Sequence, residues 1–201
     1  DFTETGFVFA PYNKEFSAIL IHPDKVLSHE YQSRGFEFND ASFPEISEED
    51  KTYHIQIVKK GIKEIGTNKL EKVVLSRKIV VPNQSSPIEI FRKALDTYPN
   101  AFCYIWYHPK IGLWIGATPE LLMLKEKSSL VTVSLAGTIK NTNTDNPLWG
   151  KKELEEQAMV TRHITQQLRS YITDLSIGDV NSVRAGNLWH LKTKVWGTIR
   201  D

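Results

Sequence analysis

The sequence predicts an α+β fold, a large and mostly antiparallel sheet with helices packed against it. Three observations lead there. Strand-like runs follow one another from residue 101 to residue 137 with no helical segment between them, and consecutive strands joined by short turns pair antiparallel. Three other stretches carry apolar residues at helical spacing behind capping signals. The 201 residues are 40% hydrophobic and 24% charged, the balance of a chain that can bury a core.

The elements follow in order. Residues 6 to 22 hold two short apolar stretches, "GFVFAPY" and "FSAILIHP", bounded by Pro11 and Pro23 and expected to be strands. Residues 28 to 46 are polar and irregular, a surface loop. A helix is expected from Ser47, which with Asp50 makes a capping pair; Ile55, Val58, Ile62 and Ile65 form its stripe and Gly66 its stop. The run "EKVVLSRKIVV", residues 71 to 81, is expected to be a strand because five of its eleven residues are β-branched and Pro82 ends it. Alternation puts Lys72, Val74, Ser76 and Lys78 on one face and Val73, Leu75, Arg77 and Ile79 on the other, so either register buries a cation.

Ser86 and Pro87 open a second helix, striped by Ile88, Phe91 and Leu95. The strand candidates "AFCYIWYH", "GLWIGA", "ELLMLK" and "SLVTVSLAG" come next, then the loop-like "NTNTDNPLWG". The segment "KKELEEQAMVTRHITQQLRSYIT" is expected to be the longest helix, with Leu154, Ala158, Thr161, Leu168 and Ile172 along one side. Strand character returns in "NSVRAGNLWHLKTKVWGTI".

Composition narrows the function. Lys and Arg number 25 against 24 Asp and Glu, which supports neither a nucleic-acid nor a membrane-surface partner. The longest apolar runs fall far short of the ~20 residues of a membrane span. A single cysteine, Cys103, forms no internal disulfide and fits a reducing cytoplasm; within its apolar run it is expected to be a packed hydrophobe. The six histidines show no metal-ligand spacing, and neither a phosphate loop nor a nucleophile elbow is present. Asp1 at one end and the strand-like "KVWGTIRD" at the other lead us to expect a piece of a longer protein. Oligomeric state is not legible.

Three polar residues stand in awkward places: Lys72 at the start of an apolar strand, Glu120 between "GATP" and "LLML", and Glu156 beside Glu155 on the long helix. Each has an ordinary explanation. Lysines at strand starts snorkel, a Glu after Pro sits in a turn, and acids in a first helical turn complement the macrodipole. Together, however, "KVVLSR", "IGATPELLM", "SLAGT", "KKELEEQAMV" and "RAGNLWHLKT" occur in the order and approximate spacing of the chorismate-utilising enzymes. The chain resembles the isochorismate synthases of that family from about Gly6 onward.

The resemblance implies the chorismate-utilising fold, with residues 1 to 201 forming part of the chorismate-binding catalytic domain, and chorismate as the small-molecule substrate. It implies a Mg²⁺-dependent reaction in which water enters at C2 and the C4 hydroxyl leaves, the isochorismate feeding menaquinone or a siderophore. It makes Lys72 the base and Glu120 the acid, facing each other across the ring, with burial expected to favour the uncharged form of each. Gly137, Thr138 and His190 are implied as substrate-binding residues and Glu156 as a magnesium ligand. Gln157 departs from the family's usual His, leaving Glu155 an alternative to Glu156, and the loop over residues 139 to 150 is short for the family. Lys72 favours water over ammonia as the nucleophile; salicylate synthases share the Lys, and "NLWHLKT" is closer to the isochorismate synthases. A second metal-binding Glu and a carboxylate-clamping Arg have no counterpart in this chain. The 201 residues alone are therefore expected to turn over little chorismate, and their sheet to leave an open edge.

Overall fold

The computed structural model describes residues 4–33, 35, 45–141 and 147–200. The chain divides into two compact units, Asp1–Arg34 and Gly35–Asp201. In the first, strands β1 (Phe7–Phe9) and β2 (Ile19–Ile21) pair antiparallel, Val8 opposite Leu20, as the two apolar stretches predict. Much of the loop expected over residues 28 to 46, and positions 142 to 146 of "NTNTDNPLWG", lie outside the described residues.

The second unit is α+β, and its described strands are all antiparallel. Helix α1 (Glu48–Gly66) is capped by Ser47, whose Oγ accepts the Asp50 N–H at 3.0 Å, with three acids in the first turn facing the positive end of the dipole. Its expected stripe is rotated. Ile55, Ile62 and Ile65 are exposed, while His54, Ile57, Val58 and Gly61 are covered. Gly61 explains the rotation, because a Cβ there would stand 3.1 Å from Val73 Cγ1. The 71–81 segment packs over this gap.

That segment is not a strand. Residues 72 to 80 form no ladder with any described residue, and Val74, Ile79 and Val80 are at least half exposed. Propensity for extended backbone is present, but a strand needs a partner, and the segment pairs with none of the described residues.

Helix α2 (Pro87–Thr97) begins at the predicted Ser86 and Pro87, and Glu89 completes a capping box that the sequence reading did not name: Ser86 Oγ accepts the Glu89 N–H and the Glu89 carboxylate accepts the Ser86 N–H. It packs on a hairpin of β3 (Phe102–His108) and β4 (Gly112–Thr118), in which Trp106 and Trp114 face each other with ring centroids 6.4 Å apart. The remaining strands are β5 (Leu124–Glu126), β6 (Ser129–Lys140), β7 (Ile172–Ala185) and β8 (Leu188–Ile199), forming one sheet in the order β5-β6-β8-β7. The core lies where helix α3 (Lys151–Leu168) covers the central strands; Val195, Thr193 and Leu191 of β8 and Ser134 of β6 are almost wholly buried.

The long helix ends four residues before Ile172, which instead opens β7 and is buried. Asp174, at φ 52°, and two register shifts along β7 break up the alternation that would have marked "ITDLSIGDVNSV" as a strand. The covered side of α3 also differs from the expected one: Gln157, Thr161, Ile164, Thr165 and Leu168 face inward, whereas Leu154 and Ala158 are exposed.

The capping box makes a prediction. Ser86→Ala lowers the unfolding free energy of the full-length protein by about 1 kcal/mol in urea titrations. The Ser86 N–H holds the Glu89 carboxyl below its ordinary range, so its contribution is complete above the unfolded-state value and is lost as pH falls through the folded one. Wild type is therefore the more stable above the ordinary carboxylate range, and wild type and Glu89→Gln converge as pH falls below it. Parallel curves throughout that range contradict the assignment.

Candidate functional site

The site is built where α3 crosses the middle of β6. At that point β6 carries a bulge between Ala136 and Thr138, and Gly137 adopts φ +69°. Only glycine takes this conformation without strain, and space points the same way, since a Cβ would meet the Glu153 carbonyl oxygen at 3.2 Å. The bulge sets Gly137 beside the helix, where its N–H makes the smallest of the contributions that hold the Glu156 carboxyl below its ordinary range.

Glu156 receives a second donor from far along the chain. Lys72 Nζ donates to Glu156 Oε1 at 2.9 Å, across 84 positions of sequence, with the two side chains 28% and 32% exposed. Lys72 thus leaves its apolar neighbours for a carboxylate, and the full desolvation expected of it is absent. Lys152 lies 4.0 Å from the other oxygen. Donation from Lys72 holds the Glu156 carboxyl below its ordinary range against partial burial, which pushes it up; the Lys72 and Lys152 charges and the Gly137 N–H add to the lowering. Glu155 points elsewhere, exposed and 3.7 Å from Lys151.

One residue beyond the bulge, Thr138 and His190 face each other on β6 and β8, with Thr138 Oγ1 3.1 Å from His190 Nδ1. His190 also lines a cleft of about 480 Å³ with Ala117, Pro119, Tyr98 and Arg184. Five of the six expected site residues are therefore linked: Lys72 to Glu156, Glu156 to Gly137, and Gly137 through one peptide bond to the Thr138–His190 pair.

Glu120 stands apart. It is exposed, its N–H donates to Thr118 Oγ1 at 3.2 Å, and it lines a second cleft with Leu121, Met123, Thr132, His163 and Gln167. Lys72 lines a third cleft, with Val73, Leu75, Glu156 and Met159. The expected confrontation of Lys72 and Glu120 across one ring is not made, because the turn after β4 directs Pro119 and Glu120 to opposite sides.

The residue that sequence reasoning noted only as a departure has a structural part. Gln157 is 1% exposed, with Nε2 at 2.8 Å from Ser134 Oγ, 3.1 Å from Ser134 O and 3.0 Å from Thr193 Oγ1. Thr161 Oγ1 lies 2.6 Å from the same Ser134 hydroxyl. This polar core fixes the rotation of α3 and so turns Glu156 toward Lys72. A small hydroxyl on each of two neighbouring strands opposite a helical Gln was the signal available in the sequence.

As arranged, the cluster does not fit a magnesium ion. Mg²⁺ requires an octahedron of oxygens. Here one carboxylate has an ammonium on Oε1 and another cation 4.0 Å from Oε2, and the described residues contain no group of three or more acidic, His or Cys side chains. Nor is any helix among the described residues long and apolar enough to cross a membrane.

The bulge predicts that Gly137→Ala costs more than about 1 kcal/mol of stability, since Ala is strained at positive φ. Gly35→Ala is no control, because its φ is +62° as well; Gly66→Ala, in a helix end with open space around it, is, and calorimetric unfolding separates the two.

The chain is 25% identical over 148 residues to isochorismate synthase MenF of Haemophilus influenzae, covering 69% of this chain and 34% of that protein. It is 25% identical over 178 residues to isochorismate synthase DhbC of Bacillus subtilis, covering 75% and 44%. It is equally 25% identical over 175 residues to anthranilate synthase component 1 of Acetivibrio thermocellus, covering 78% and 33%. The chain thus spans less than half the length of these relatives. Among solved structures, the putative 2,3-dihydroxybenzoate-specific isochorismate synthase DhbC of Bacillus anthracis superposes with a TM-score of 0.64 at 25% identity, over 76% of this chain and 45% of that one. The family described as chorismate binding enzyme matches residues 13–201, and the chain belongs to that family.

Proposed function

We propose that the full-length protein is an isochorismate synthase, adding water at C2 of chorismate with loss of the C4 hydroxyl. The observation that carries this reading is the placement of Lys72. Its amine stands 2.9 Å from Glu156, in the cleft that the two residues share, where a water-activating base would serve and where an ammonia-using enzyme has no use for one. In the reaction Lys72 takes a proton from water as the oxygen bonds to C2. The ring double bonds shift, and Glu120 gives a proton to the C4 hydroxyl, which leaves as water; one water enters and one departs. Thr138 and His190 supply hydrogen bonds to the substrate's oxygens, and the positive φ of Gly137 lets the ligand approach the backbone.

Two conditions attach to these roles. Lys72 must leave Glu156 Oε1 as the neutral amine, its proton passing to solvent, before it can accept one from water, and Glu120 must be protonated and turn to the Pro119 side of its turn, where His190 lies. The magnesium requirement that the resemblance implies is not part of this reading, because the residues around Glu156 do not fit the ion as arranged. The 25% identity to an anthranilate synthase component 1 gives the ammonia-using reaction a specific claim as the second reading.

Incubating the full-length protein with chorismate and Mg²⁺ and separating the products decides between them. Isochorismate alone is expected; salicylate with pyruvate, or an amino product in the presence of ammonia, replaces the reading. Lys72→Gln and Glu120→Gln each lower turnover by about a hundredfold or more. Undiminished turnover in either variant removes that residue from its role.

A further inference from the structure

Gly61 is a glycine that its own helix does not need. It stands inside α1, where glycine is among the residues least favourable to a helix, and its φ is not positive, so the backbone does not call for one. Among the described residues of α1 it alone is buried. What the missing side chain provides is room: a Cβ there would lie 3.1 Å from Val73 Cγ1 and 3.9 Å from Leu75 Cδ1. We propose that Gly61 is a positioning residue for Lys72, a notch in α1 that seats Val73 and Leu75 and so fixes where the Lys72 amine stands against α3. This deepens the isochorismate synthase reading and rests on it, because the base is what the notch serves.

The segment that carries Lys72 has no sheet to hold it. Residues 72 to 80 form no ladder among the described residues, and Val74 is 81% exposed. Neighbouring side chains on an extended backbone leave on opposite sides. Val73 and Leu75 turn to the notch, and Lys72 turns the other way to α3, where Nζ meets Glu156 Oε1 at 2.9 Å. Glu71 adds a looser tie to the same helix, 3.5 Å from Arg162 with both side chains more than half exposed, and such a pair contributes little. The depth at which Val73 and Leu75 sit therefore sets the distance from the segment's backbone to α3. A lysine side chain absorbs the few tenths of an ångström that a Cβ at position 61 would demand of Val73, but not the width of a whole side chain. Misplacement of the amine, and its cost to proton transfer, grows with the size of the residue at 61.

A graded series in the full-length protein tests the notch. Gly61→Ala improves the helix propensity of α1, so a thermal midpoint that stays level or rises while turnover of chorismate falls separates positioning from damage to the fold. In Gly61→Leu turnover is expected to fall about tenfold, with KM unchanged because Gly137, Thr138 and His190 stay within the sheet. Labelling of Lys72 by a small acylating reagent, read by mass spectrometry, is expected to rise about threefold in the same variant as the Glu156 pair loosens, while Lys152, with its side chain 83% exposed, is labelled as before. Val73→Ala in the Gly61→Ala background removes the methyl group that the new Cβ meets, and is expected to return turnover and Lys72 labelling to the level of Val73→Ala alone. Wild-type turnover and labelling in Gly61→Leu overturn the proposal. So does a Gly61→Ala defect that Val73→Ala leaves in place, since the effect then does not pass through the notch. If the unmutated protein makes a product other than isochorismate, the functional reading falls instead, and Lys72 labelling across the series still decides whether the notch holds the amine.

Discussion

The candidate site depends on one ion pair joining parts of the chain 84 residues apart. Lys72 and Glu156 are each about a third exposed, so neither loses its hydration completely and the attraction between them is not fully screened. Donation from Lys72 is the largest influence on the Glu156 carboxyl, and the Lys152 charge and the Gly137 N–H add smaller ones. Backbone donors cost little entropy to hold, whereas a lysine must freeze a long side chain. The strand and helix therefore define the binding position, and Lys72 is its adjustable occupant. Without the pair, the segment after α1 is held chiefly by Val73 and Leu75 lying over Gly61.

The bulge and the polar core beneath it act on the same problem from two sides. A regular β6 would carry Gly137 in register with β8, and the Thr138–His190 pairing would fall one residue out of place. The extra residue sets Thr138 opposite His190. On the helix side, an apolar residue at Gln157 would allow α3 to slide along the sheet, since hydrophobic packing alone discriminates weakly between neighbouring rotations. Hydrogen bonds to hydroxyls on both β6 and β8 admit one rotation. That a buried amide carries out this function is consistent with Gln157 Oε1 having no partner among the described residues: it is the Nε2 side that positions the helix.

What the sequence revealed and what it concealed divide along physical lines. Helix starts were legible because a cap is local: Ser47 with Asp50, and Ser86 with Pro87 and Glu89, each complete their hydrogen bonds within four residues. The antiparallel α+β class was legible from runs of strands with short turns. The 71–81 segment was misread because β propensity reports the backbone a residue tolerates, while a strand exists only beside another. The stripe of α1 was misplaced because a glycine, invisible to hydrophobic periodicity, determines where a neighbour can approach. Ile172 was drawn into α3 because the polar, irregular β7 offers no alternation to set the boundary. Within the site, the motifs named Lys72, Glu156, Thr138 and His190 without showing that the first two would pair, since a contact between distant segments leaves no mark in either.

Glu120 marks where the local and the long-range requirements part. Its turn is held by a single backbone hydrogen bond to Thr118 Oγ1, and residues 119 to 123 are all exposed. Pro119 fixes its own φ but not the ψ that follows, so that torsion sets which way the Glu120 side chain leaves the turn. On one side lie His163 and Gln167 of α3; on the other lie His190 and Arg184. A carboxyl serving as an acid beside the substrate-binding pair has to be on the second side, and the movement required is confined to a few exposed residues whose backbone carries little of the sheet's hydrogen bonding. Lys72 and Glu120 therefore share a design feature: each rests on a segment outside the regular sheet, while the groups that would grip a ligand, Gly137, Thr138 and His190, are set within it. Binding groups on rigid strands and proton-transferring groups on yielding ones is the division expected of a site whose geometry is completed by what it binds.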